Sequence, residues 1–78
     1  MPRFRFHLYN DEETLDLEGR EFADFCAARV EAIGSARELM AAEIRSKGEI
    51  SLSHRIELEN DAGDVEVVNF RDAVKINS

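Results

Sequence analysis

One long helix-forming segment, placed between two pairs of strand-like segments, constrains the fold of this chain more than any other feature. Residues 25–46 are rich in Ala, Leu, Met, Glu and Arg, which favour helix. Asp24 precedes the segment as an N-cap, and Gly48 follows it as a C-terminal stop. Arg45 and Lys47 lie where cations stabilise the negative end of the helix dipole. The sequence therefore predicts a single helix that needs a surface on which to pack.

The segments on either side of the helix alternate polar and apolar residues, as half-buried strands do. Residues 3–9 and 54–59 show this period clearly, and residues 14–17 are interpreted as a short returning strand. Residues 60–64, with their glycine, predict a tight turn. Residues 65–70 form the last strand, but its valines point to opposite faces, so we expect a bulge or twist near Val67.

A single helix and two pairs of strands bury their apolar sides most simply when the strands form one sheet and the helix packs on one face of it. The chain has 78 residues, 44% hydrophobic and 35% charged, a composition that suits one folded domain. We predict an α+β fold over residues 1–78, with one helix packed on a four-stranded antiparallel sheet (β-β-α-β-β). If the third strand lies beside the first, the spatial order is 2-1-3-4.

The apolar face of the helix defines the predicted core. At about 100° per residue, one stripe carries the bulkier apolar residues, and a second set widens it. The stripe contains Cys26, Val30, Ile33, Met40 and Ile44, and the widening set contains Phe25, Ala32, Ala36 and Leu39. Arg29 lies inside this arc, where a guanidinium needs a partner. Asp16 or Glu18 is one candidate, extension of the side chain to solvent is the alternative, and binding of a ligand is the third interpretation.

The first strand separates into an apolar face and a basic face. Phe4, Phe6 and Leu8 alternate with polar neighbours and are predicted to lie under the helix. The candidate binding residues are those of the opposite face: Arg3, Arg5, His7 and Tyr9. Two alternatives remain for this face, because it can be satisfied by the chain's own carboxylates (Asp16, Glu57 and Glu59) or by those of a partner.

The charge and the cysteine content restrict the partners and the compartment. The 17 acidic and 10 basic residues give a formal charge of −7, which repels nucleic acid and anionic membranes. One cysteine excludes an internal disulfide. No apolar run is long enough for a signal peptide or a membrane helix. We expect a cytoplasmic protein that is not a membrane protein and for which nucleic acid is an unlikely general partner.

No constellation of catalytic or metal-binding residues emerges from the sequence. His7, Cys26 and His54 lack the paired spacing of a metal site. Cys26 falls on the predicted core stripe, where burial opposes formation of the thiolate. The acidic residues at positions 16–24 do not match a calcium loop and are interpreted as a solvated turn. We therefore expect no metal, no cofactor and no enzymatic activity.

Four motifs resemble a known family. They are M-P-R-F-R-F-H-L at residues 1–8, D-x-E-G-x-E-F-x-D at 16–24, A-A-R-x-E-A at 27–32 and V-x-N-F-R-D-A-V at 67–74. In this order they are similar to domain of unknown function 6894, found in short, mainly alphaproteobacterial proteins. The first turn lacks the Asp-Gly associated with these proteins, and Asn69 stands where a proline is frequent. The resemblance implies a compact domain and adds no catalytic residue.

Three functions are weighed against these features. The first is a small protein-interaction module that self-associates as a homodimer, because a domain of this size has a thin core and the helix has a broad apolar arc. The alternative is an antitoxin-like, nucleic-acid-associated regulator that uses the basic face of the first strand. The third is an enzyme or small-ligand binder that uses Arg29 and nearby carboxylates, and it is the least favoured because a domain this small has little room for a pocket. The sequence identifies no small-molecule ligand.

Overall fold

The structure is a computed structural model that describes residues 2–77, so Met1 and Ser78 lie outside the described residues. The elements in chain order are β1 (Arg3–Tyr9), β2 (Glu13–Thr14), β3 (Arg20–Glu21), α1 (Phe25–Lys47), β4 (Arg55–Asn60), β5 (Val65–Asn69) and α2 (Phe70–Ala73).

Local capping sets both ends of α1, as predicted. The Asp24 carboxylate accepts a hydrogen bond from the backbone N–H of Ala27 at 2.9 Å. Gly48 has φ of 71°, and its N–H donates to the carbonyl of Ile44 at 2.9 Å. The helix ends at Lys47, one residue later than predicted.

The sheet confirms the predicted fold class and strand order. Its strands lie in the order β2-β1-β4-β5, every pair is antiparallel, and β3 pairs with the other end of β1. The helix lies on one face of this sheet, as the alternation of the strands predicted.

The returning strand predicted over residues 14–17 is present, but its extent is wrong, because it covers Glu13–Thr14 and residues 15–17 are not in it. Between β1 and α1, only Glu13–Thr14 and Arg20–Glu21 pair with β1, and the chain between them leaves the sheet. The Asp16 side chain explains the interruption, because its Oδ2 accepts the N–H of Phe6 at 3.0 Å. That N–H faces the edge of β1, so a side chain takes the hydrogen bond that a longer strand would have made.

The core lies between α1 and the inner face of the sheet. Phe4, Leu58 and Phe70 are its largest fully buried side chains. The Phe4 ring packs edge-on against Phe22 and Phe25, with centroids 6.3 Å and 4.9 Å away. Phe6 and Leu8 are half-buried against the same cluster. The predicted inner face of the first strand is therefore confirmed.

The predicted core stripe of the helix is wrong for most of its bulky residues, whereas Met40 and the widening residues Ala32 and Ala36 are buried as predicted. The buried residues of α1 are Ala28, Ala32, Ala36 and Met40, spaced four apart. Cys26, Val30 and Ile44 are exposed. The buried face is rotated by roughly a quarter turn from the stripe of bulky residues, because the alanine row lets the helix lie close to the phenylalanine rings of the sheet.

The last strand contains no bulge, contrary to expectation. Its register with β4 is continuous from Glu59↔Val65 to Arg55↔Asn69. Val68 points into the core, whereas Val65 and Val67 point to the opposite face and are 51% and 49% exposed. The strand keeps strict alternation by leaving these two valines in contact with solvent.

Candidate functional site

The arginines of the outer face of β1 have partners within the chain. One Arg3 amino group donates to the backbone carbonyls of Glu18 and Gly19, at 2.9 Å and 3.2 Å. Arg5 lies 3.8 Å from a carboxylate oxygen of Asp61 in the β4–β5 turn. These contacts of Arg3 and Arg5 lie near the surface and contribute little to stability, but they reduce the positive potential of this face.

His7 is held in one tautomer between the loop that joins β2 to β3 and strand β4. The N–H of Asp16 donates to His7 Nδ1 at 3.1 Å, so Nδ1 is an acceptor. The proton of the neutral ring therefore lies on Nε2, which donates to Glu59 Oε1 at 3.0 Å. The His7 side chain is only 12% exposed. This geometry gives His7 a structural role in joining β1 to its neighbours.

Tyr9 contacts a cation from the neighbouring strand. The Arg55 guanidinium lies 4.2 Å from the Tyr9 ring centroid, and Arg55 Nε donates to Glu57 Oε2 at 3.0 Å. Loss of solvation, followed by the negative charges of Glu57 and Glu13, raises the pKa of the Tyr9 hydroxyl. The charges of this strand pair are thus compensated locally.

The basic face is therefore occupied by the chain's own carboxylates and carbonyls. The Glu59 carboxylate binds the His7 side chain, as predicted for this face. The Glu57 carboxylate binds Arg55 on its own strand and not a side chain of β1. A binding role for Arg3, Arg5, His7 and Tyr9 stays a prediction, and any partner would have to compete with these contacts.

Arg29 binds a partner that the sequence did not suggest. Its Nε and a terminal nitrogen donate to Glu66 Oε1 on β5, at 3.2 Å and 2.5 Å. The bond to this carboxylate raises the pKa of the Arg29 guanidinium. Neither Asp16 nor Glu18 contacts Arg29 through its carboxylate; Asp16 binds backbone N–H groups of its own turn and of β1. Arg29 thus ties the helix to the last strand.

The thiol and imidazole candidates lie apart from one another. Cys26 is exposed and was wrongly predicted to be buried. His54 packs edge-on against Phe70, with centroids 5.6 Å apart, and its Nε2 lies 3.6 Å from Asp11. Across residues 2–77, no three His, Cys, Asp or Glu side chains are grouped to hold a metal ion. Across the same residues, neither helix is both long and apolar enough to cross a membrane.

A shallow depression of about 280 Å³ lies near the C-terminal half of α1. Asp11, Glu43, Lys47 and His54 line it together with apolar atoms of Met40. Its lining contains both acidic and basic side chains, so its charge does not select a class of ligand.

The outer edge of β5 is open, and the hydrogen-bond pattern identifies which backbone groups face it. Phe70 N–H donates to His54 O at 2.9 Å, and Asn60 N–H donates to Asp64 O at 3.0 Å. Bonded pairs in an antiparallel ladder recur at every second residue, so the even-numbered residues of this strand bond to β4. β5 pairs with β4 alone among the described strands.

The N–H and C=O groups of the odd-numbered residues therefore point away from the sheet. We call these outward groups, on Val65, Val67 and Asn69, the β5 edge. The side chains of all three residues are exposed.

An apolar part of α1 lies beside this edge. Arg29 reaches Glu66 on β5, and Arg37 Nε donates to the carbonyl of Ala73 at 2.7 Å, so this side of the helix faces β5 and α2. Cys26 and Ile33 lie three and four residues from Arg29, and Val30 lies seven residues, about two helical turns, from Arg37, so these three apolar residues are on this side of the helix. We call these three residues the helix flank. Val30 is 69% exposed and Ile33 is half-buried.

Comparison with known proteins identifies a family but no characterised relative. The family model described as Domain of unknown function (DUF6894) matches residues 3–71 of the chain. Neither the curated proteins nor the solved structures contain a match.

Proposed function

Because the chain belongs to the family described as Domain of unknown function (DUF6894), whose description assigns no activity, we propose a function from its exposed surfaces: it is a non-catalytic protein-interaction module that associates with a second copy of itself. The observation that carries this proposal is the position of the helix flank beside the β5 edge. Apolar side chains and unpaired strand backbone are the two features that a neighbouring chain satisfies.

Burial of this surface supplies a driving force that a domain of this size needs. Val30, Val65 and Val67 are each about half exposed or more. Complete burial of a valine is worth about 1.5–3 kcal/mol, so covering what remains exposed contributes about 1 kcal/mol per residue and per copy. Small domains have little stability in reserve, and association adds to it.

The net charge predicts how the association depends on salt. Two copies that each carry −7 repel one another, and added salt screens that repulsion. We expect self-association to strengthen as salt rises. Sedimentation velocity at low and high micromolar concentration, in low and in moderate salt, tests the proposal. A chain that sediments as a monomer under all these conditions would overturn it.

The nucleic-acid-associated regulator is the less favoured alternative. Binding to phosphate requires positive side chains that are free to make contact, and salt weakens such binding. Here His7 is shielded, and Arg5 and Arg55 already lie beside carboxylates. We expect no shift of labelled DNA or RNA in a gel at low salt. A shift that disappears as salt rises would favour the regulator instead.

A further inference from the structure

We propose that the second copy binds along the β5 edge as an antiparallel strand, with Val67 of one copy opposite the second copy's Val67. The inference rests on the proposed self-association and names its surface and register. The two sheets join across a two-fold axis into one continuous sheet, and both long helices lie on the same face of it.

The hydrogen-bonding groups allow few registers. Val65, Val67 and Asn69 carry the outward groups, so these residues must bond with one another across the interface. With Val67 opposite its own equivalent, Val65 lies opposite the second copy's Asn69, and all three residues are bonded. A shift that pairs Val65 with the second copy's Val67 places Glu66 opposite its own equivalent, which is unfavourable for like charges. A shift in the other direction pairs Val67 with the second copy's Asn69, and Val65 then has no residue of the second copy's β5 opposite it.

Charge at the ends of the strand favours the antiparallel direction. Asp64 precedes β5, Arg71 follows it in α2, and both are exposed. In the proposed register, Asp64 lies beside the first turn of the second copy's α2, which carries Arg71. The arrangement repeats at the other end of the strand by symmetry, so each copy supplies one acidic and one basic group.

The helix flank supplies area that the strand alone lacks. Stable interfaces bury about 800 Å² per partner, more than one five-residue strand edge offers. Arg29 and Arg37 show that the flank lies on the β5 side of the helix. In the joined sheet the flanks of the two helices therefore face one another across the axis, and Cys26, Val30 and Ile33 of each copy become covered.

The first test compares two substitutions at exposed apolar positions. Val67→Lys places like charges opposite one another at the two-fold axis, and we expect it to weaken self-association by roughly tenfold or more. Leu17→Lys is the matched control, because Leu17 is 85% exposed and lies beyond the opposite edge of the sheet. We expect the control to associate like the unchanged protein. Far-UV circular dichroism checks that both variants fold.

The second test probes the register by cross-linking. In a Cys26→Ser background, Val67→Cys treated with a short bis-maleimide is expected to give a covalent dimer, and Leu17→Cys is expected to give none. If the protein dimerises but Val67→Lys leaves the affinity unchanged, the β5 interface is wrong and the proposed function stands. If the affinity falls but Val67→Cys does not cross-link, the register is wrong. If the unchanged protein is a monomer, both proposals fail.

Discussion

Replacement of Asp16 by alanine is predicted to destabilise the fold, although the residue lies in a loop. The carboxylate accepts three backbone N–H groups: Phe6 at 3.0 Å, Glu18 at 3.2 Å and Gly19 at 3.0 Å. The first of these bonds holds the loop against β1, and the other two close the turn. Asp16 thus stabilises its own turn and also accepts the Phe6 N–H at the edge of β1, where a longer β2 would have provided a backbone carbonyl.

The expected cost follows from the number and exposure of these bonds. A hydrogen bond to a charged group contributes about 1.5–3 kcal/mol when buried, but the Glu18 bond is exposed and the other two are only partly buried, so water replaces part of the lost interaction. We assign about 1 kcal/mol to the Phe6 bond and about 1 kcal/mol to the two turn bonds together. Asp16→Ala should therefore lower the free energy of unfolding by about 2 kcal/mol. For a domain of this size the melting temperature then falls by about 10 °C.

The effect depends on pH in a defined direction. Partial burial acts to raise the pKa of Asp16, but the hydrogen bonds from Gly19, Phe6 and Glu18 together outweigh it, so the pKa is lowered on folding. A lowered pKa means that the stabilisation is fully present above the unfolded value of about 3.9 and disappears as pH falls through the folded value. The difference between Asp16→Ala and the unchanged protein should therefore shrink in acid.

Urea unfolding at neutral pH and at successively lower pH, at one protein concentration, measures both effects. Glu12→Ala serves as the control, because Glu12 is an exposed acidic residue in the preceding turn. The reasoning is refuted if Asp16→Ala costs no more than Glu12→Ala at neutral pH. It is also refuted if the difference between them stays constant below the unfolded pKa.

Five further substitutions test the backbone geometry and the packing. Gly19 has φ of 73°, and a Cβ there would lie 2.8 Å from the carbonyl oxygen of Phe4, so Gly19→Ala should cost about 1–3 kcal/mol in urea unfolding. Gly34→Ala, where a Cβ meets nothing within 4 Å in mid-helix, should instead stabilise by about 0.5–1 kcal/mol; equal effects would contradict the turn geometry. Ala32→Leu should cost about 1–3 kcal/mol by overpacking, while the exposed Ala41→Leu is neutral in thermal melts. Leu58→Ala should cost about 2–5 kcal/mol, and a loss below 1 kcal/mol would place Leu58 outside the core.

The features that the sequence predicted correctly depend on local chemistry or on simple connection rules. Asp24 and Gly48 determine the helix ends through their own hydrogen bond and backbone angle. The alternation of β1 identified its buried phenylalanines, and the order of the sheet followed from returning the helix over two antiparallel strands. These inferences required no knowledge of contacts between distant residues.

The features that the sequence missed depend on such contacts. The bulky stripe of the helix predicts the centre of the core and leaves Ala32 at its margin, because alanine is a weak signal in a hydrophobic pattern. The structure instead centres the core on the alanine row and leaves Val30 exposed. The partner of Arg29 was missed because Glu66 is 37 positions away in the sequence. No signal within a helix window identifies a carboxylate on a later strand.

Only the helical part of the candidate surface could be predicted from the sequence. The broad apolar arc of the helix indicated an apolar contact with a partner, and the exposed helix flank indicates the same. Its position beside the β5 edge requires the sheet register, since only the register shows that Val65 and Val67 direct their backbone groups outward.

Amide hydrogen exchange of β5, followed by NMR at two protein concentrations, tests the association along this edge most directly. The N–H groups of Glu66 and Val68 bond within the chain and should be protected at both concentrations. The N–H of Val67 points outward, so it should exchange rapidly when the chain is dilute and slow down as the dimer forms. Exchange of Val67 that stays rapid at a concentration where the protein sediments as a dimer would contradict association through this strand.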